Sequence, residues 1–438
     1  MRPWVCTLVG SAALLAAGVT AAAAPCARTR PGGATVVVGY GSAPALAAAV
    51  AATDAVIVRR LPAIDVAVLR LRDRSHASGL VRARGIRFVR TPETHRAAAD
   101  PAVAFARGGA PGGGEWQFDA THEGDVPDAV LRAAATIRIA VVDTGADLTV
   151  PDLSSKSPAA FNVATHSADV RDSFGHGTFV ASLAAASVTN GDGIAGFGGD
   201  AQLLVVKADE GDGTFTDVDE AAGIVYAVAH GARILNLSLG SPQTSPVERR
   251  AIRYAVGQGV LVVAAAGNSY AQGNPVVYPA ALLQPVGSDG AGGAGLAVAA
   301  STPSGVRAPF SSTGSWISLA APGLSVLGDL STLSPPWLFP RTALPGAPAD
   351  LVGYASGTSY AAPQVAGAAA LVWAANPSLT AQQVAQILEQ TASGHGRWTP
   401  QLGFGVIDVG AAVAVASAQS GRTPAAAAAP PARHLVGD

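Results

Sequence analysis

The sequence predicts an α/β protein whose main body is a doubly wound, mainly parallel sheet with helices on both faces, preceded by a small ferredoxin-like α+β unit. Three observations carry that expectation. Short, unbroken apolar runs at 137–142, 202–206, 234–239 and 260–265 suit strands buried on both faces. Helix-like segments at 176–186, 217–230 and 245–258 alternate with them. Ahead of these, residues 34–91 give the order β-α-β-β-α-β of a split βαβ unit.

Taken in order, residues 1–24 carry a basic Arg2, an apolar stretch at 8–19 and a small-residue end at 21–24. That is the pattern of a secretory signal peptide cut near Ala23 or Ala24. The apolar run is shorter than the roughly 20 residues a membrane span needs, so export is expected, with no span once the signal is removed. Residues 25–95 hold the small unit, strand-like at 34–38, 55–60, 66–71 and 86–90 and helix-like at 44–52 and 75–83. Residues 96–114 are rich in Ala, Gly and Pro, ending in Gly112, Gly113 and Gly114, and read as a linker. The main domain spans 115–419. Residues 420–438 form an Ala- and Pro-rich tail with little to bury, expected to be disordered.

Composition excludes several classes. The 438 residues carry 28 basic and 30 acidic side chains, a net charge of -2, so no electrostatic reason exists to expect a nucleic-acid partner. Cys6 and Cys26 alone cannot build a disulfide scaffold, a four-cysteine zinc site or an iron–sulfur site. Lysine occurs only at Lys156 and Lys207, which leaves little room for Schiff-base chemistry.

Three segments fit nucleophilic serine chemistry. Asp143 closes an apolar run and precedes Thr144 and Gly145; His176 stands between Gly175 and Gly177 where a helix opens; Ser359 follows Gly357 and Thr358 at the head of a small-residue helix. A serine nucleophile needs a base in contact with its hydroxyl and a carboxylate that orients the base. The C-terminal edge of a parallel sheet is where such groups converge. Asn268, after Gly267 at the end of another apolar run, places an amide where it can donate to an oxyanion, beside the N–H of Ser359. Singly, each residue has an ordinary alternative. Asp143 could be a turn residue or half of an aspartic-peptidase pair, His176 a core or surface histidine, Ser359 an N-cap and Asn268 a left-handed turn residue. No second Asp-Thr/Ser-Gly block follows, against the aspartic peptidase. The G-x-G-x-x-G at 191–196 follows a helix and does not open one, so it is no dinucleotide fingerprint.

Together these blocks, in the order Asp, His, Ser, resemble the subtilisin-like serine peptidases over about residues 116–415, with further likeness at 238–240, 310–312, 321–323 and 403–408. The resemblance implies that Asp143 orients, His176 acts as base and acid, Ser359 attacks and Asn268 stabilises the oxyanion. Ser238, Leu239 and Gly240, with Ala265, Ala266 and Gly267, would edge a cleft that binds peptide as an added strand. It implies a secreted, monomeric serine endopeptidase acting on polypeptides through an acyl-enzyme intermediate. The enzyme would be made as a self-processing zymogen, with residues 34–91 as inhibitory propeptide. No cofactor is needed for that chemistry. A structural calcium site like the family's strong one would use Asp152, Asn190 and the carbonyls of Val188, Asp192 and Ile194, although the usual N-terminal ligand is not evident in the Gly-rich linker. The alternative is a catalytically silent relative that acts as a binding module; the four intact chemical positions stand against it.

Departures from the family pattern matter as well. Tyr360 stands where Met is usual. Extra segments at about 282–295 and 329–350 are expected to flank the cleft. Ala265, Ala266, Val277 and Ala280 are expected to line a pocket for apolar, medium-sized side chains, with Val277 shortening its floor.

Overall fold

The computed structural model describes residues 34–97, 115–188, 194–344 and 347–421. The expected signal peptide, most of the linker and nearly all of the tail lie outside these residues. The small unit comprises β1 (Thr35–Tyr40), the helix Ala43–Thr53, β2 (Val56–Leu61), β3 (Val66–Arg70), the helix Ala77–Arg82 and β4 (Ile86–Arg90). Its sheet has the order β2-β3-β1-β4 and is antiparallel throughout. Alternation along β1 splits its valines. Val36 and Val38 join Leu46, Leu69 and Leu80 in the unit's own core, whereas Val37 shares a core with the main domain, together with Leu61, Ile64, Val66 and Val68.

The chain then forms β5 (Thr94–Ala97), two residues longer than the expected end of the small unit, and this strand belongs to neither large sheet. The main domain follows with β6 (Arg138–Asp143), β7 (Ala159–Asn162), β8 (Gln202–Lys207), β9 (Thr214–Thr216), β10 (Ile234–Leu237), β11 (Leu239–Gly240), β12 (Leu261–Ala265), β13 (Leu296–Ser301) and β14 (Leu319–Pro322). Seven of these strands form one sheet of order β14-β13-β12-β10-β6-β8-β7, every pairing parallel. Its strands read as continuous apolar runs because both faces are covered. Ile139, Val141, Val263 and Ala265 pack with the helices His176–Ala185 and Thr358–Ala375. Ala140, Val142, Val262 and Ala264 pack with the helices Asp217–Ala229 and Pro246–Gly257.

The strand order reverses between β6 and β10, so a crevice opens beyond their carboxyl ends. The 329–350 segment, expected as a loop, contributes to a second small sheet, β15 (Val326–Asp329), β16 (Arg341–Leu344) and β17 (Ala347–Ala355), antiparallel in the order β15-β17-β16. Among the described residues no helix is long and apolar enough to cross a membrane.

Candidate active site

Asp143 is the last residue of β6, at the reversal point, and is fully buried. Its Oδ1 accepts the N–H of Thr144 at 2.7 Å and lies 2.7 Å from His176 Nδ1. A carboxylate can only accept, so Nδ1 carries the proton and Nε2 is left as the basic nitrogen.

His176 is the first residue of its helix, and the two glycines beside it are sterically required. Gly175 has φ +99°, and a Cβ there would meet Ser334 Cβ at 2.5 Å; a Cβ on Gly177 would meet the Gly145 carbonyl at 2.2 Å. A second buried carboxylate shapes this turn. Asp172 accepts from the N–H groups of Gly175 and Thr178 and from the hydroxyls of Thr178 and Thr144. Burial pushes its carboxyl above the usual range. Thr144 Oγ1 in turn accepts the N–H of Gly177 at 2.8 Å, which ties the Asp143 strand end to the His176 helix. This positioning role was visible in the sequence only as an acid four residues ahead of the histidine.

Ser359 is buried in the first turn of Thr358–Ala375. Its Oγ donates to the Ser238 carbonyl at 3.2 Å, and Ser238 Oγ donates back to the Ser359 carbonyl at 2.7 Å. The second bond exists because of Pro363, whose missing N–H would otherwise claim the Ser359 carbonyl four residues earlier. Asn236, at the same strand end, donates to Ser238 Oγ at 2.9 Å.

Asn268 Oδ1 accepts from the N–H of Thr358 at 2.9 Å and from its hydroxyl at 3.0 Å. Those donors fix which amide atom is oxygen, so Nδ2, buried and unpartnered among the described residues, is a donor waiting for an acceptor. The Ser359 N–H, in the first turn of its helix, is a second donor of the same kind. A hydroxyl, an oriented imidazole and two free donors at one helix head are the parts that acyl transfer requires.

The cleft beside this group is occupied by the chain itself. Strand β5 lies between β11 and β9, antiparallel to both, with Ala97 opposite Leu239 and Arg96 opposite Gly240. Of the residues expected at the cleft edge, Leu239 and Gly240 thus pair with a strand of the chain's own.

The sequence model described as the Subtilase family matches residues 134–405. The chain belongs to the subtilase family. It is 36% identical over 278 residues to subtilisin BL of Lederbergia lenta, covering 63% of this chain and 90% of that protein. It is 34% identical over 263 residues to the thermophilic serine proteinase of Bacillus sp. (strain AK1), a match spanning 60% of this chain and 58% of that one. Among solved structures, fervidolysin from Fervidobacterium pennivorans, described as a keratinolytic enzyme related to subtilisin, superposes with a TM-score of 0.72 at 25% identity, covering 87% of this chain and 61% of that one.

Other parts of this subtilase depart from or extend the sequence reading. Ala265 closes β12, and Ala266 and Gly267 follow it. Val277 reaches both Gly240 and Gly267, since a Cβ on Gly240 would meet its Cγ1 at 2.7 Å and one on Gly267 its Cγ2 at 2.6 Å. Tyr360, the Met departure, is fully buried with its ring 5.6 Å from that of His176 and 4.6 Å from that of Phe179. The 329–350 segment does flank the site: Ser331 Oγ donates to the Asp172 carbonyl, and Phe339 packs against Phe179. The 282–295 segment instead packs against Ser315, Trp398 and Phe404 towards the β14 edge, held there by bonds to Ser315 and Ser318 and braced internally by Gln284.

Of the calcium set, Asn190 and Asp192 lie outside the described residues. Asp152 is buried and its Oδ2 accepts the N–H of Ile194 at 2.9 Å, with Val188 half-buried nearby in sequence. Glu115, which the sequence reading missed, accepts from the N–H of Ala195 at 3.3 Å. Burial, and then the Asp152 and Glu123 charges, push its carboxyl up to about 7 despite that bond. A buried acid and a half-buried one, both bonded to the 194–195 backbone, are a donor set that suits a hard cation.

Proposed function

We propose that this subtilase is a secreted serine endopeptidase, made as a zymogen that cuts its own chain and hydrolyses polypeptides through an acyl-enzyme intermediate. Ser359 Oγ attacks the scissile carbonyl carbon while His176 Nε2 takes its proton, and Asp143 holds the imidazole in the required tautomer. The resulting oxyanion accepts from Asn268 Nδ2 and the Ser359 N–H. His176 returns the proton to the departing amine, and water then hydrolyses the ester by the same route. The single observation that carries this reading is the buried Asp143–His176 hydrogen bond, with Asn268 anchored to Thr358 at the helix head that carries Ser359.

The occupied cleft also supports self-processing. Leu239 faces Ala97, so the next residue of any strand bound in this register meets Ser238, whose carbonyl holds the Ser359 hydroxyl. The scissile bond then follows position 98, and residues 25–98 act as propeptide and inhibitor. The pattern at 1–24 supports secretion. Calcium would be held by Asp152, Glu115 and the Ile194 carbonyl, with Val188, Asn190 and Asp192 completing the set, and would neutralise the two acids without entering the chemistry.

The test is fluorophosphonate labelling together with N-terminal sequencing of the secreted product. Labelling of wild type but not of Ser359→Ala, with a new N-terminus at position 99 in wild type and an uncut Ser359→Ala chain, supports the proposal. An unlabelled, folded wild type means a silent binding module. A Ser359→Ala chain cut at the same bond, in a host without other proteases, ends the case for self-cleavage.

A further inference from the structure

Strand β5 carries a second feature that the chemistry of the triad does not use. Burial alternates along it, so His95 and Ala97 point into the domain while Thr94 and Arg96 face outward. His95 is fully enclosed, its Nδ1 2.8 Å from Glu220 Oε2 and 4.0 Å from Glu248 Oε1. Both glutamates are themselves fully buried. Glu220 stands in the first turn of Asp217–Ala229 and Glu248 in the first turn of Pro246–Gly257, where helix dipoles favour negative charge. Neither glutamate belongs to the propeptide, so both stay behind when it leaves. His95 Nε2 and Glu220 Oε1 find no partner among the described residues. The pocket is therefore acidic, buried and incompletely satisfied even with histidine in it.

A substrate strand held by β11 and β9 adopts the same register, because the same backbone groups hold it. Its side chain at the position of His95 enters the same pocket. We propose that Glu220 and Glu248 form a specificity subsite that selects a cationic side chain (Lys, Arg or protonated His) at the fourth residue before the scissile bond. An apolar side chain there would seal two carboxyls away from water with no counter-charge, whereas a cation satisfies them. The imidazole of His95 illustrates the effect. Burial by itself would push it down, but the hydrogen bond and charge of Glu220, with Glu248 and Asp217 behind it, hold it at about 9.

This inference rests on the peptidase reading above, and the test separates the two. The processed, secreted enzyme is given peptides identical except at the fourth residue before the cut: Arg, Lys, His, Ala, Leu or Glu. We expect kcat/KM for the cationic members to exceed that for Ala and Leu by about tenfold or more at neutral pH. The Glu member should be cleaved worst. Raising the pH past about 9 should erase the advantage of His and leave that of Arg. In Glu220→Gln and Glu248→Gln the Arg-to-Ala ratio should fall towards one. Normal casein hydrolysis with an Arg-to-Ala ratio near or below one in wild type would overturn the subsite alone. Absence of both casein hydrolysis and fluorophosphonate labelling would overturn the peptidase reading and the subsite with it.

Discussion

At the residue scale, the site depends on atoms whose partners are already spoken for. Asn268 commits its oxygen to Thr358, and only that commitment aims Nδ2 outward. Asn268→Ala should therefore lower kcat by about 10²–10³ with little change in KM, the size known for such a donor in subtilisin, the family's reference enzyme. Steady-state kinetics on a chromogenic peptide check it, and an unchanged kcat in a folded variant would remove Asn268 from the mechanism. Val277 is a residue of the opposite kind, acting by bulk. It presses on both Gly240 and Gly267, so, if these line the proposed cleft, the pocket between them should accept small or medium apolar side chains before the cut. Val277→Gly should raise the ratio of kcat/KM for Phe over Ala at that position by about tenfold, since each buried methylene is worth roughly 0.8 kcal/mol. A ratio that does not move would place the pocket elsewhere.

At the element scale, the helix Thr358–Ala375 does two jobs with one proline. Its head carries Ser359, the proposed nucleophile, and Pro363 leaves the Ser359 carbonyl open for Ser238. Restoring an N–H with Pro363→Ala offers that carbonyl an intrahelical partner and sets Ser238 Oγ in competition with it. We expect a several-fold fall in kcat/KM, about the worth of one hydrogen bond of roughly 1 kcal/mol, while thermal stability stays level or rises. A variant whose kcat/KM equals that of wild type would show that the Ser238 clasp is not needed. Elements also explain how the inserted segment 329–350 matters. It is no loose loop, and its Ser331 and Phe339 brace the turn that presents His176.

At the scale of the whole molecule, the small unit is held to the main domain by a shared core and by a few charges. Arg59 pairs with Asp219, and Arg250 donates to the Ile64 carbonyl. The buried His95 adds a pH-dependent part. Its docked pKa of about 9 lies above the ordinary histidine value of 6.5, so its contribution is full below about 6.5 and is lost as pH rises through about 9. Asp217, the third acid facing His95, is itself paired with Arg90. Activity should thus appear at least about tenfold faster when the cut but undissociated zymogen is moved to pH 9.5 than to pH 6.5. His95→Gln should flatten that dependence; equal release rates in wild type at both pH values would refute it. Chelation addresses another whole-molecule feature: EGTA should lower Tm by roughly 5 °C or more if calcium bridges Glu115 and Asp152.

The sequence alone determined the α/β class, the two-part layout, and the four blocks around Asp143, His176, Asn268 and Ser359. Those are local signals: apolar runs long enough to be buried strands, glycines where a Cβ would collide, a serine at a helix head. Helix bounds at 176, 217 and 246 were legible to within a residue or two for the same reason, because caps and apolar periodicity are written within a few positions. What the sequence could not carry were relations between distant residues. Glu220 and Glu248 are ordinary first-turn acids in their helices, and they became a pocket only when two helix ends and a strand from the small unit met. Glu115 was hidden at the end of a glycine run until folding set it beside Asp152. Side-chain chemistry is spelled along the chain, but burial and partnership are properties of surfaces brought together, and only the tertiary structure decided those.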